Sequence, residues 1–117
     1  MSRRHLGLRP EWEEAIRRGR KTIDARVLED EMPELVVGAV LHYPGARARV
    51  RAVRYYASFA DLLAAEDWRR IAPEAGSREE TLRLLEEGLG DTARHKGVVA
   101  IEIEPLAHEP PGGPHRE

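Results

Sequence analysis

Short runs of alternating apolar and polar residues are interleaved with stretches whose apolar positions fall three or four apart. That pattern predicts short strands and short helices in one fold. Residues 5–9, "HLGLR", place Leu6 and Leu8 on one side of a short strand. Pro10 suits the first turn of a helix, where its missing N–H costs nothing, and Glu11, Glu13 and Glu14 favour that end electrostatically. Trp12, Ala15 and Ile16 share a face of this helix, and Gly19 is placed to stop it. Thr22 to Val27 then alternates, with Ile23, Ala25 and Val27 on one face and Thr22, Asp24 and Arg26 on the other. An acidic loop containing Pro33 leads to a strand at 39–43, a Pro44-Gly45 turn, and a long strand at 46–56 with arginines at every second position. The alternation slips after Ala52, which predicts a β-bulge. Ser58 with Asp61, and Ser77 with Glu80, open two further helices in capping-box fashion, and Leu82, Leu85 and Leu89 form the stripe of the second. "GVVAIEIEPL" is the clearest strand, with Val99, Ile101 and Ile103 expected inside and Glu102 and Glu104 outside. The hairpin-like joins predict an α+β domain with a curled or barrel-like mixed sheet rather than a doubly wound parallel one.

Composition narrows this picture. The 117 residues suit one domain, expected over residues 1–106, followed by a Pro/Gly-rich tail at 107–117 that is expected to be disordered. No apolar run approaches the ~20 residues of a membrane helix, and no apolar segment follows the arginines near the start. A cytoplasmic protein without a membrane partner is therefore expected. The lack of cysteine excludes disulfides, thiolate catalysis and cysteine-ligated zinc. There is no Asn or Gln, and Arg outnumbers Lys 17 to 2. These are thermophile tendencies, and a GC-rich genome produces much of the same bias.

A net charge of −2 gives no global signature of a nucleic-acid binder, but the charges are unevenly spread. Arg47, Arg49, Arg51 and Arg54 fall in a stretch with no acid, whereas the segment from 57 to 93 is mostly acidic. A local anion-binding surface is compatible with that distribution. "GRKT" is not a P-loop, because a helix precedes it and a strand follows; "GLGDTA", at 88–93, also follows a helix and is no dinucleotide fingerprint. The five histidines lack ligand spacing, so neither a metal nor a cofactor is expected. Ser2, Ser58 and Ser77 read as a terminus and two caps, not as nucleophiles.

The stretch "RRGRKTIDARV", from Arg17 to Val27, concentrates the candidate chemistry. Cations at a helix C-terminus are stabilised there, and Asp24 with Arg26 reads equally as an ion pair on a solvated strand. The same segment also lines up an amine, a hydroxyl, a carboxylate and a guanidinium in Lys21, Thr22, Asp24 and Arg26. Facing a barrel mouth, that set would bind a polar planar ligand. Arg47, Arg49 and Arg51 read either as a solvated strand face or as contacts to phosphates.

"GRKTIDARV", then a turn-linked strand pair, "YYASFADLLAAEDW", a Ser-capped helix and "GVVAIEIEPL" together resemble an ASCH domain, over roughly Leu6 to Leu106. The resemblance implies a small PUA-like mixed β-barrel of about five to six strands flanked by two to three helices. It also implies a ligand cleft lined by Lys21, Asp24 and Arg26, with RNA or a nucleotide-like small molecule as partner. One branch of the family hydrolyses N4-acetylcytidine with a lysine, a threonine and a glutamate. Lys21 matches that lysine, whereas the threonine position is Asp24 here, and Glu74, Glu79 and Glu80 all lie near the glutamate's place.

Three functions follow as expectations. The first is a binding module for RNA or a nucleotide-like ligand, with Arg47, Arg49 or Arg51 on phosphates. The second is an amidohydrolase of an acylated nucleoside, with Lys21 and Asp24 as catalytic residues. The third is a protein-interaction module using the acidic helices. A buried, perturbed Lys21 beside a carboxylate would favour the second, and full solvent exposure of Asp24 and Arg26 the third.

Overall fold

The computed structural model describes residues 8–29, 32–87 and 90–107. Its elements are α1 (Pro10–Arg17), β1 (Ile23–Val27), β2 (Val40–Tyr43), β3 (Ala46–Tyr56), α2 (Phe59–Ala65), α3 (Trp68–Ile71), α4 (Arg78–Glu86), α5 (Gly90–Lys96) and β4 (Val98–Pro105). The strands form one sheet in the order β1-β4-β3-β2, antiparallel at every step. The fold is α+β, and the sheet is a curled half-barrel of four strands among the described residues, in place of the expected mixed barrel of five to six. Most of the strand expected at 5–9, and the tail beyond 107, lie outside the described residues; Leu8 and Arg9 are not in a strand.

Among the described residues, five helices replace the expected two to three. Ser58 and Ser77 accept hydrogen bonds from the backbone N–H of Asp61 and Glu80 at 3.1 and 3.0 Å, as the capping pattern requires. The extra elements are α3 and α5. Asp67 opens α3 by accepting from the Arg69 N–H at 3.0 Å, and four residues are too few to show a period. The sequence of α5, "GDTARHK", buries Ala93 and offers no apolar stripe to read.

The bulge in β3 sets which side chains face which way. Val50 pairs with Ile103 and Ala52 with Glu102, so Arg51 is the extra residue. Ala46, Ala48 and Val50 are buried on one face. Beyond Arg51 the phase reverses, and Val53 and Tyr55 occupy that same face.

Two cores result. Ile23, Val27, Val98 and Ala100 meet Phe59, Leu62 and Leu85 from the helices. Leu41, Tyr43, Val50, Val99, Ile101 and Ile103 fill the concave side with Ile16 of α1. Central β4 is therefore buried on both faces: Val98 and Ala100 are as inaccessible as Val99 and Ile101. Val99, Ile101 and Ile103 lie inside as expected, and the second face is buried as well because β1 and β3 flank β4 and helices cover that side. No described helix is long and apolar enough to cross a membrane.

Candidate functional site

The site begins where α1 stops. Gly19 takes a left-handed φ of 76°, and the N–H groups of Arg20 and Lys21 both bond back to the Ala15 carbonyl. This sharp reversal turns Lys21 under its own helix. Its Nζ lies 4.6 Å from the centre of the Trp12 ring and donates to the carbonyls of Ile23 at 2.8 Å and Ile71 at 2.6 Å. Lys21 is fully buried. Burial pulls its pKa down to about 8; the Asp24 charge opposes the fall, Arg26 adds to it, and Glu74 opposes it again.

Asp24 is 1 % exposed. Its Oδ2 accepts from Arg26 Nε at 2.7 Å and from the Tyr43 hydroxyl at 2.8 Å. Burial alone would raise its pKa, but the Arg26 and Lys21 charges and the two hydrogen bonds more than reverse this, so the carboxyl stays ionised. Burial, followed by the Asp24 charge, pushes the Tyr43 phenol well above its usual range, so it remains a donor. The Arg26 guanidinium lies 5.9 Å from the centre of the Tyr43 ring.

Strands β1 and β2 are the two outer strands of the sheet. Three ladder spacings would separate them by roughly 14 Å in a flat sheet. The Asp24–Tyr43 bond therefore crosses the concave interior and exists only because the sheet curls. It places an ion pair and a phenol among apolar residues.

Asp24 and Arg26 thus pair directly, Lys21 acts on Asp24 through its charge while its own contacts are with Trp12, Ile23 and Ile71, and Thr22 joins neither. Its hydroxyl accepts from Arg70 Nε at 2.8 Å. Arg70 continues to Glu102 at 3.1 Å, Glu102 to Arg54 at 3.1 Å, and Arg54 grips Glu66 through two bonds of 2.6 and 3.0 Å. This network occupies the helix side of the sheet. Arg47, Arg49 and Arg51 are also separate from Asp24. All three are exposed, and Arg47 and Arg49 alternate with the inward Ala46, Ala48 and Val50. They contact the Ala107 carbonyl, the Gly38 carbonyl and Glu104 at 3.1, 3.0 and 3.0 Å respectively. Arg17 and Arg18 finish the helix, both pairing with Glu14.

Sequence reasoning missed Tyr43 and Trp12, which touch Asp24 and Lys21 respectively. Tyr43 carried a usable signal: a tyrosine on the apolar face of a strand needs a partner for its hydroxyl. Glu74, one of three glutamates left open, is the one whose charge acts on Lys21. Among the described residues, no cluster of histidine and carboxylate side chains could hold a metal ion.

No model of a known protein family matches the chain, and no curated protein does. Solved structures do match. The hypothetical protein PH0355 superposes with a TM-score of 0.79 at 30% identity, over 86% of this chain and 95% of that one. PF0455 from Pyrococcus furiosus gives 0.71 at 32% identity, over 87% and 96%. The ASCH protein from Zymomonas mobilis gives 0.52 at 20% identity, over 86% and 67%, a likeness of fold. A variant of that protein with a tyrosine replaced by phenylalanine gives 0.51. The chain belongs to the family of PH0355 and the Pyrococcus furiosus protein PF0455, and its fold is like that of the ASCH protein from Zymomonas mobilis.

Proposed function

We propose that this ASCH-type module binds RNA or a nucleotide-like small molecule on the concave side of its half-barrel, at Asp24, Arg26 and Tyr43, with Lys21 acting on Asp24 through its charge from the helix-side core. One observation carries the reading: an ionised Asp24 is held inside a core by Arg26 and Tyr43, next to a buried Lys21. Burying such groups costs more than burying apolar ones of the same size, so stability alone does not explain their presence. Asp24 supplies acceptor lone pairs and Arg26 a planar fork of donors, a combination suited to the edge of a base. The RNA or nucleotide class comes from the ASCH likeness. Thr22 acts behind the site by holding Arg70. Arg47, Arg49 and Arg51 lie on the opposite face, where they serve phosphates of a chain long enough to round the sheet. The test is calorimetric titration with nucleosides, nucleotides and short RNA. Binding by the parent that is lost in Asp24→Asn and kept in Arg18→Ala supports the site. Equal behaviour of parent and both variants overturns it.

A second reading, an amidohydrolase of an acylated nucleoside such as N4-acetylcytidine, rests on Lys21. With a pKa of about 8 its amine is neutral in about a tenth of molecules at neutral pH, within the useful range for a base or nucleophile. Asp24 and Glu74 are the carboxylates whose charges act on it. Release of acetate by the parent, rising with pH through the lysine's titration and absent in Lys21→Met, would establish this reading. An inactive parent would remove it. The burial of Asp24 and the near burial of Arg26 count against the protein-interaction reading, which needed both in solvent.

A further inference from the structure

Resting on that site, we infer that the ring of Tyr55 is a stacking platform for a base of single-stranded RNA leaving the Asp24–Arg26 pair, with Arg94 and Lys96 at the end of α5 on its phosphates. Among the described residues, the strongly exposed large apolar side chains are Val36, Val37 and Tyr55, and Tyr55, at 59 %, is the aromatic one. The bulge at Arg51 brings it to the concave face; were Arg51 paired in regular alternation, Tyr55 would point to the arginine side.

Tyr55 pairs with Val99, and Val99 pairs with Arg26. The three make one row across β3, β4 and β1, with the apolar floor of Val99 between an exposed ring and a guanidinium. Asp24 and Val53 make the next row, through Ile101. Two rows on one face lie roughly 7 Å apart along the strands, a spacing that passes from one base to the next.

The same end of the sheet carries the last turn of α5, Arg94, His95 and Lys96, all exposed. Gly97 joins this turn directly to β4 beside the row, and its carbonyl accepts from the Leu28 N–H at 3.0 Å. An exposed ring with the basic Arg94 and Lys96 at the same end of the sheet is the arrangement single-stranded RNA uses: bases on the aromatic face and phosphates on the basic groups. Double-stranded RNA keeps its bases stacked on each other and offers Tyr55 nothing to hold.

The experiment uses the full chain and a labelled short RNA of mixed sequence, single-stranded or annealed to its complement. It compares the parent with Tyr55→Ala, Tyr55→Phe, Lys96→Ala and Asp24→Asn, with an unfolding curve for each. Tyr55→Ala should weaken single-strand binding roughly tenfold or more, as for one lost base stack, without changing the unfolding midpoint. Tyr55→Phe should bind as the parent does, because the ring face matters and not the hydroxyl. Lys96→Ala should lower the salt slope by about 0.7. Parent-like affinity in Tyr55→Ala, or equal loss in Tyr55→Phe, overturns the inference. So does self-association of the parent by light scattering that Tyr55→Ala abolishes, since the ring would then be a contact between copies. If Asp24→Asn loses nucleotide binding while Tyr55→Ala keeps RNA binding, the platform falls and the site stands. A parent that binds neither removes both.

Discussion

Lys21 shows what a buried charge does to stability. Its pKa is about 8 in the folded chain against 10.5 in a free side chain. Below the folded value both states hold the proton, and the penalty for burying the charge is complete. Between the two values the unfolded chain keeps its proton while the folded chain sheds it, so this group's contribution to stability rises with pH, by roughly 3 kcal/mol at most. Lys21→Met removes that dependence. Urea unfolding of parent and variant at neutral and at alkaline pH should show the variant's relative stability falling as pH rises, and a constant difference would place the lysine's titration elsewhere. Asp24 has the opposite sign. Its lowered pKa gives stability that is present above the unfolded value of 3.8 and is lost as pH falls through the folded one. Tyr43→Phe takes away one of the donors to Asp24 and should cost about 1–3 kcal/mol at neutral pH. The variant should also unfold at a higher pH in acid than the parent. An unchanged acid transition would mean the phenol contributes nothing to the carboxylate.

At the scale of elements, the bulge in β3 controls both faces of the sheet. Deleting Arg51 would restore strict pairing and leave Val53 and Tyr55 opposite Ile101 and Val99 on the concave face, with Arg54 still on the helix side. That variant is expected to keep cooperative unfolding, as is Arg51→Gly, which keeps the extra residue. Loss of cooperative unfolding in the deletion would show that the bulge itself is needed. The arginine face has its own test. Arg49→Ala should lower the salt slope of RNA binding by about 0.7 if it meets a phosphate, and leave it unchanged if the face is merely solvated. Elements of this kind were largely legible in the sequence. Ser58, Ser77 and the slip in the arginine strand are local signals, carried by neighbouring residues. Helix α5 was not legible, because among its described side chains Ala93 is the buried one. The second buried face of β4 was not legible either, since Val98 and Ala100 are inside only because helices from elsewhere in the chain cover them.

For the whole molecule the decisive feature is curl. A period of two along β1 was enough to pair Asp24 with Arg26, because that pairing is local. Nothing local could bring in Tyr43, which comes from the far edge of the sheet and meets Asp24 only across the closed interior. For the same reason Thr22 and the arginine strand looked like parts of one site, whereas the folded sheet puts them on its other side. The account's central claim is that the concave side holds the ligand. Its most direct test is an amide NMR titration of the full chain with a nucleotide and then a short single-stranded RNA. The account predicts that shifts appear first at Lys21 to Arg26 and at Tyr43, and spread to Tyr55 with the RNA. Shifts confined to Arg47, Arg49 and Arg51, or none at saturating nucleotide and RNA, would contradict it.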